Sequence, residues 1–385
     1  MATRVKKKTA GKLAAEIKPE RKLFKDWFDK SAATAMAKQI ASVYSDFDSA
    51  RFKRFALRDI ESLEFNDRVK QFSEALHRTL PESYPVAVGI LVDSLPVEAS
   101  AASITDGWLQ WPIGQFIADH GTDHYRASMH AMTELTQRFS SEFAVRPFVE
   151  RYLDKIFDEL LKLTKHPSEH VRRWCSEGVR TRLPWGNKLQ GLIADPAPVL
   201  PILEALLDDE SLYVRKSVAN NLNDLSKDHP QLVFFKCREW QQKNSPNRDW
   251  IIRHGLRTLL KQGNPDALAL TGFGKPVNMK VQLSVKPKNI QIGQSVTMQL
   301  NLKNNSECNQ NLMIDYIVHY VRKNNVVNEK VFKWKALDID AGSTVTLEKA
   351  HPMKETTVRA LYSGVHKLEV QVNGVRFDSC EFTLK

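Results

Sequence analysis

Cysteine is scarce in this 385-residue chain, which has four, at Cys175, Cys237, Cys308 and Cys380, with no Cys-x-x-Cys pair and no paired histidines nearby. That scatter excludes a disulfide framework and a zinc site, and leaves reduced buried thiols as the expectation. Long apolar runs are missing as well. No stretch approaches the roughly 20 residues of a membrane span, and no signal-peptide core opens the chain, so a cytoplasmic protein is expected. There is also no glycine-rich phosphate loop, His-Glu-x-x-His or nucleophile elbow, which removes the common nucleotide, metalloprotease and esterase chemistries.

Basic residues are plentiful, and the net charge is +11. Residues 1–25 hold nine Lys/Arg against Glu16 and Glu20, and residues 276–385 hold fifteen against ten acids, so the long middle of the chain is close to neutral. A polyanion site in the middle therefore needs basic residues sorted onto one face. The ends, including Lys6-Lys-Lys8, could add non-specific nucleic-acid affinity. Residues 1–22 have no periodicity and are expected to be a disordered basic tail, which Lys6–Lys8 could serve merely as solvated charge.

One helical phrase recurs. Val171-Arg-Arg-Trp-Cys-Ser-Glu-Gly-Val179 is echoed at Val214–Leu222 and at Ile252–Leu260. The offsets, 43 and 38 residues, suit two-helix repeats of the HEAT kind and exclude shorter ankyrin-type ones. At about 100° per residue, positions one, four, five, eight and nine form an apolar face. The third (Arg173, Lys216, His254) and tenth (Arg180, Asn223, Lys261) fall opposite and predict a ridge rich in cations. Helical patterning starts near Leu23 and continues, broken by prolines, to Gln262, with an unusual Trp108-Leu-Gln-Trp-Pro112 on the way. The later helices are expected over 125–139, 144–152, 153–164, 168–182, 199–207, 211–226, 230–242 and 249–262.

Near Pro276 the texture changes to alternation, as in Val281–Val285, Val296–Leu302, Ile314–Tyr320 and Leu368–Val372, and Asn373-Gly374 reads as a tight hairpin turn. About seven strands over roughly 105 residues describe an immunoglobulin-like sandwich without its usual Cys-Trp-Cys core. The expected fold is thus multidomain, α then β. A tail (1–22) precedes a HEAT-like α-solenoid (23–272), which an immunoglobulin-like β-sandwich (277–385) follows.

Acids and an aromatic stand out among the basic helices. Glu177 occupies the seventh position of the first copy, Asp224 closes the second in Asn220-Asn-Leu-Asn-Asp224, and Glu142 precedes a helix. Trp185 follows Pro184 at a helix end. Asparagine and aspartate cost helix propensity, which raises a functional question at 220–224. Structural readings stand beside each. Glu142 could cap a helix, Glu177 could pair with Arg173 or Arg180, Trp185 could be core, and Asp224 could accept hydrogen bonds at a helix end. Arg172, Arg215 and Arg253 read more naturally as a ladder between repeats than as ligand contacts.

The strings His166-Pro-Ser-Glu-His-Val-Arg-Arg-Trp-Cys-Ser-Glu-Gly-Val-Arg180, Arg182-Leu-Pro-Trp-Gly186 and Asp209-Glu-Ser-Leu-Tyr-Val-Arg-Lys-Ser-Val-Ala-Asn-Asn-Leu-Asn-Asp-Leu225, with Trp108–Pro112, resemble the AlkC branch of the AlkC/AlkD DNA alkylation-repair glycosylases. The likeness covers about residues 20–270, and some AlkC members carry a similar C-terminal immunoglobulin-like domain. It implies hydrolysis of the N-glycosidic bond of cationic alkylated bases in duplex DNA. The bases implied are 3-methyladenine and, for this branch, 3-methylcytosine and 1-methyladenine, excised without base flipping. Matched onto the family's cleft, the catalytic set is Asp224, Glu177, Glu142 and Trp185. Arg173, Arg180, Lys216, Arg257 and Lys261 are expected to hold DNA phosphates. No metal or other cofactor is called for, and a monomer at the nucleoid is expected. The rival reading is a non-catalytic HEAT-repeat DNA-binding scaffold.

Overall fold

The computed structural model describes residues 23–97, 107–323, 326–356 and 360–385. The tail expected over 1–22 lies outside the described residues. Contacts divide the chain into two compact units, Met1–Phe139 and Ser140–Lys385.

The first unit contains α1 (Lys30–Ala41), α2 (Ser49–Ala56), α3 (Phe65–His77), α4 (Tyr84–Asp93), α5 (Trp111–His120) and α6 (Tyr125–Thr136). Aspartates start the first two helices. Asp29 accepts hydrogen bonds from the Ser31 and Ala32 amides, and Asp48 accepts one from Arg51, satisfying amides that the helix itself leaves open. The Trp108–Pro112 phrase is explained by packing. Phe24 meets Trp108 edge-on at 4.2 Å, Phe65 meets Trp111 at 5.0 Å, and Trp111 meets Phe139 at 5.3 Å. The tryptophans belong to an aromatic core.

The second unit begins with α7 (Arg146–Arg151), α8 (Leu153–Leu163), α9 (Glu169–Glu177), α10 (Gln190–Ala194), α11 (Leu200–Ala205), α12 (Leu212–Leu225), α13 (Pro230–Gln241), α14 (Pro246–Gly255), α15 (Arg257–Lys261) and α16 (Pro265–Leu270). The three repeated phrases lie on α9, α12 and the α14–α15 pair, and α12 packs between α9 and α14. This is HEAT-like stacking. Val171, Trp174, Cys175, Val214, Val218, Leu222, Ile252 and Leu256 are all no more than 1% exposed, and each large one stabilises the stack by about 1.5–3 kcal/mol. Close approach sets the spacing at Gly255, where an added Cβ would sit 2.6 Å from Leu222 Cδ2.

Arginines link successive repeats, though the rungs differ in part from expectation. Arg172 donates to both oxygens of Asp209, at 2.7 and 3.1 Å, whereas Arg215 donates to the carbonyls of Asp209 and Glu210 just ahead of its own helix and links no second repeat. Arg253 is exposed, and the second rung is Arg248 on Asp208. Two helices also end early. The segment expected as 168–182 stops at Glu177, and the residue after it is a glycine packed so closely that an added Cβ would lie 2.6 Å from Val145 Cγ1. The segment expected as 249–262 breaks into α14 and α15 around Gly255-Leu256.

Among the described residues eight strands follow: β1 (Met279–Lys286), β2 (Asn289–Ile290), β3 (Ser295–Asn304), β4 (Gln310–Val321), β5 (Val327–Ile339), β6 (Thr344–Pro352), β7 (Gly364–Val372) and β8 (Val375–Leu384). One sheet has the order β1-β3-β6 and the other β2-β8-β7-β4-β5, the two-sheet arrangement of an immunoglobulin-like domain. Alternating residues of β3, Val296, Met298, Leu300 and Leu302, enter a core shared with Leu312, Ile314, Leu368, Val370 and Phe382.

The sandwich is joined to the last helices by backbone. Gly263 and Gly374 both have positive φ, +71° and +77°. A Cβ on Gly263 would lie 2.6 Å from the Gly374 Cα. Around this contact Asn373 Nδ2 donates to the Gly274 carbonyl at 2.7 Å, and Asn311 Nδ2 to the Gly272 carbonyl at 3.2 Å.

Candidate active site

Glu177 is the last residue of α9 and Asp224 lies in the last turn of α12. Because α9 packs on α12, the two ends converge and Arg180 bridges them. Its Nη1 donates to Glu177 Oε1 at 2.6 Å and its Nε to Asp224 Oδ2 at 2.8 Å. Arg173, one turn earlier on α9, continues the series. It donates to Glu142 Oε2 at 2.7 Å and lies 3.5 Å from Glu177 Oε1. At the other end Lys227 Nζ donates to Asp224 Oδ1 at 3.0 Å. The result is an unbroken series of alternating sign: Glu142, Arg173, Glu177, Arg180, Asp224, Lys227.

Most of this series is withdrawn from water, with Glu177 5%, Arg180 7% and Asp224 2% exposed. Buried charges survive only when paired and hydrogen-bonded. Each acid here meets that condition. Ser217 Oγ donates to Glu177 Oε2 at 2.6 Å, and Ser140 Oγ donates to Glu142 at 2.8 Å. Burial alone would lower the Arg173 and Arg180 pKa values, but the carboxylates of Glu142 and Glu177, and of Glu177 and Asp224, outweigh it and hold both above the ordinary value. Arg173 also lies over the Tyr213 ring, 5.1 Å from its centroid, a geometry that further favours the cation.

Asparagines at 220–223 repay their cost in helix propensity by tying helices together. Asn220 Oδ1 accepts from Arg257 Nη2 at 3.0 Å, Asn221 Nδ2 donates to the Ser176 carbonyl at 2.8 Å, and Asn223 Oδ1 accepts from Thr258 Oγ1 at 2.8 Å. Asp224 is held in place from both neighbouring repeats.

Trp185 stands in the loop from Gly178 to Leu189, with a φ of +65° and 73% exposure. Arg182 anchors the loop through a two-pronged pair with Asp228, at 2.9 and 2.6 Å, and Arg146 anchors it from beneath. An indole in the left-handed region with most of its surface in solvent is not a core aromatic. Such strain accumulates at functional positions.

Of the five cations expected to hold phosphates, Arg173 and Arg180 are embedded in the acid series. Arg180 is off the expected ridge because α9 ends before it, so a helical wheel no longer applies. Lys216 and Lys261 are exposed. Arg257 and Lys261 line a cleft of about 450 Å³ with Trp250, His254, Phe273 and Asp315. Burial, with Arg180 nearby, pulls Arg257 below its ordinary pKa, against the effect of Asp224. Sequence reasoning missed Ser217, Lys227, Tyr213 and Arg146. Lys227 alone left a trace there, three residues after Asp224.

Fold and site together define a HEAT-like repeat protein that carries an acid–arginine series and ends in an immunoglobulin-like domain. Residues 136–259 match the family described as DNA alkylation repair enzyme, and residues 280–385 match the C-terminal Ig-like domain of the uncharacterised protein YhaZ. The chain is 38% identical to the uncharacterized protein YhaZ of Bacillus subtilis (strain 168) over 93% of its own length and 98% of that protein. It is also similar to the Pseudomonas fluorescens alkylpurine DNA glycosylase AlkC, whose structure was solved with DNA containing an abasic site analog. That match has a TM-score of 0.87 and 35% identity, and covers 94% of this chain and 99% of the other. The chain belongs to the AlkC-type family of DNA alkylation repair proteins with a C-terminal Ig-like domain.

Proposed function

We propose that this protein is a DNA glycosylase that removes cationic alkylated bases, 3-methyladenine and with it 3-methylcytosine and 1-methyladenine, from duplex DNA by hydrolysing the N-glycosidic bond. The observation that carries this reading is the series of three carboxylates interleaved with arginines beside an exposed Trp185. A phosphate-binding scaffold has no use for three acids among its cations.

A base methylated on a ring nitrogen is already positively charged and leaves with the bond's electron pair, without prior protonation. The deoxyribose becomes an oxocarbenium ion, which a fixed carboxylate stabilises. Asp224 is the proposed carboxylate, aligning a water whose proton it accepts as the water adds to C1′; Glu177 lies beside it, and Glu142 orients Arg173. Backbone phosphates compete for Arg173, Arg180 and Lys227, and each cation drawn toward DNA releases carboxylate charge toward the sugar. Trp185 would lie along the sugar with its ring face toward the developing cation. Lys216, Arg257 and Lys261 extend the phosphate contacts. Trp185 is the exposed member of the set, and in this reading it meets a base that stays stacked rather than one turned into a pocket.

In this reading residues 23–272 form the glycosylase domain and 277–385 an accessory domain that clamps the duplex, and the protein works as a monomer on nucleoid DNA. The test is free-base release from DNA carrying 3-methyladenine or 3-methylcytosine, by wild type and Asp224→Asn. Release by wild type and its collapse in Asp224→Asn are expected. No release by wild type would leave a DNA-binding scaffold, and full release by Asp224→Asn would remove Asp224 from the catalytic role.

A further inference from the structure

Arg146 opens α7 and is 5% exposed. Among the described residues no carboxylate pairs with it. Its guanidinium is instead held by three backbone carbonyls: Nη1 donates to Gly178 O at 3.2 Å and to Arg180 O at 3.0 Å, and Nη2 donates to Asn187 O. The Nε is buried and has no hydrogen-bond partner. A buried cation satisfied only by carbonyls is a costly arrangement, and an apolar residue there would avoid the cost. Burial pulls this arginine down to about 10, still charged near neutral pH.

The three carbonyls have a common property. Two lie where the chain leaves α9 and one lies just beyond Trp185, so one planar group spans both ends of the segment that carries Arg180 and Trp185. The first carbonyl belongs to the residue after Glu177. The fit is close at Gly186 too, where an added Cβ would come within 3.4 Å of Arg146 Nε. A planar fork can make these bonds together, whereas an ammonium offers a single centre.

We propose that Arg146 is a positioning residue for the excision reaction: its carbonyl clasp fixes the 178–187 segment so that Arg180 bridges the two acids and Trp185 is held outward. This rests on the glycosylase reading. Arg146 touches neither DNA nor the reacting atoms, and it acts through the geometry of the segment it holds.

The experiment compares wild type, Arg146→Ala and Arg146→Lys in three readouts: single-turnover base release at saturating enzyme, affinity for the same DNA, and amide hydrogen exchange across residues 178–187. Arg146→Ala should slow release on the order of ten- to a hundred-fold, as misplacing a preorganised group does, with DNA affinity changed only a few-fold. Exchange should quicken within 178–187 and not across α12. Added guanidinium ion should restore part of the rate in Arg146→Ala and none in wild type, and Arg146→Lys should fall between. A folded Arg146→Ala with the wild-type rate overturns the proposal, as does a loss that follows affinity alone. If Arg146→Ala does not fold, a wild-type rate and wild-type exchange in Arg146→Lys overturn it. Absence of release by wild type would defeat the glycosylase reading instead, while the exchange measurement would still report on the clasp.

Discussion

Arg180 and Asp224, 44 residues apart in sequence, meet at 2.8 Å with almost no solvent between them and the protein. Without the other, each would keep a single ion partner, Glu177 for Arg180 and Lys227 for Asp224. The site therefore couples two successive repeats through ions rather than through packing alone.

Arg180→Ala should take the shared cation from two buried carboxylates and destabilise the second unit by about 3–5 kcal/mol, the usual cost of breaking a buried pair from one side. The double variant Arg180→Met/Asp224→Leu should lose clearly less than the sum of its singles. Thermal unfolding of wild type, Arg180→Ala, the two singles Arg180→Met and Asp224→Leu, and the double reads both, and additive losses would mean that the pair is not coupled.

Trp185→Ala should leave thermal stability within about 0.5 kcal/mol of wild type, since an exposed side chain is removed. Trp185→Gly should be at least as stable, because glycine accepts a φ of +65° without strain. Both should slow base release at unchanged fold. A large fall in melting temperature for Trp185→Ala would instead assign the indole a packing role.

Asp315 lies in β4 at the floor of the cleft that Arg257 and Lys261 line. Burial pushes its carboxyl up to about 6, against the pull of Lys333, Lys261 and Lys349. A carboxyl with a raised folded pKa binds its proton more tightly in the native state. Its burden on stability is therefore absent well below the unfolded value, grows as pH rises between about 4 and 6, and is complete above that range. Asp315→Asn should raise stability at pH 8 by on the order of 2–3 kcal/mol, and the gain should vanish near pH 3.5. Urea unfolding at several pH values measures the difference, and a gain independent of pH would refute the cause.

Lys216→Ala should weaken DNA binding alike for alkylated and unmodified duplexes and lower the slope of log affinity against log salt by about 1. Fluorescence anisotropy across a salt series tests this. An unchanged slope would place Lys216 off the DNA.

The apolar face of the three repeated helices could be read from spacing because packing imposes a strict period there. Strands β1 and β3 were visible for the same reason. β4 is buried along nearly its whole length and β5 is mostly exposed, so neither carries a two-residue burial period, and in β6 only half-buried positions alternate with exposed ones. The acids Glu142, Glu177 and Asp224 stood out as departures from the repeat, and family resemblance joined them into one set. Their partners could not be read. Arg180 lies beyond the helix end, and Gly178 before it packs on Val145, a contact 33 residues away that no local pattern encodes. Arg146 is equally silent, since its ligands are carbonyls that any sequence possesses.

At the contact between Gly263 and Gly374 backbone meets backbone, with the Leu268 side chain packed beside it. Elsewhere a changed neighbour can be met by a new rotamer, but two bare backbones have nothing to rearrange. A methyl group added at Gly374 would lie 2.5 Å from the Gly263 carbonyl oxygen, so even the smallest substitution must move whole chain segments. The pose of the β-domain on the last helices is thus specified by two missing atoms, and the joint behaves as a dovetail rather than a hinge.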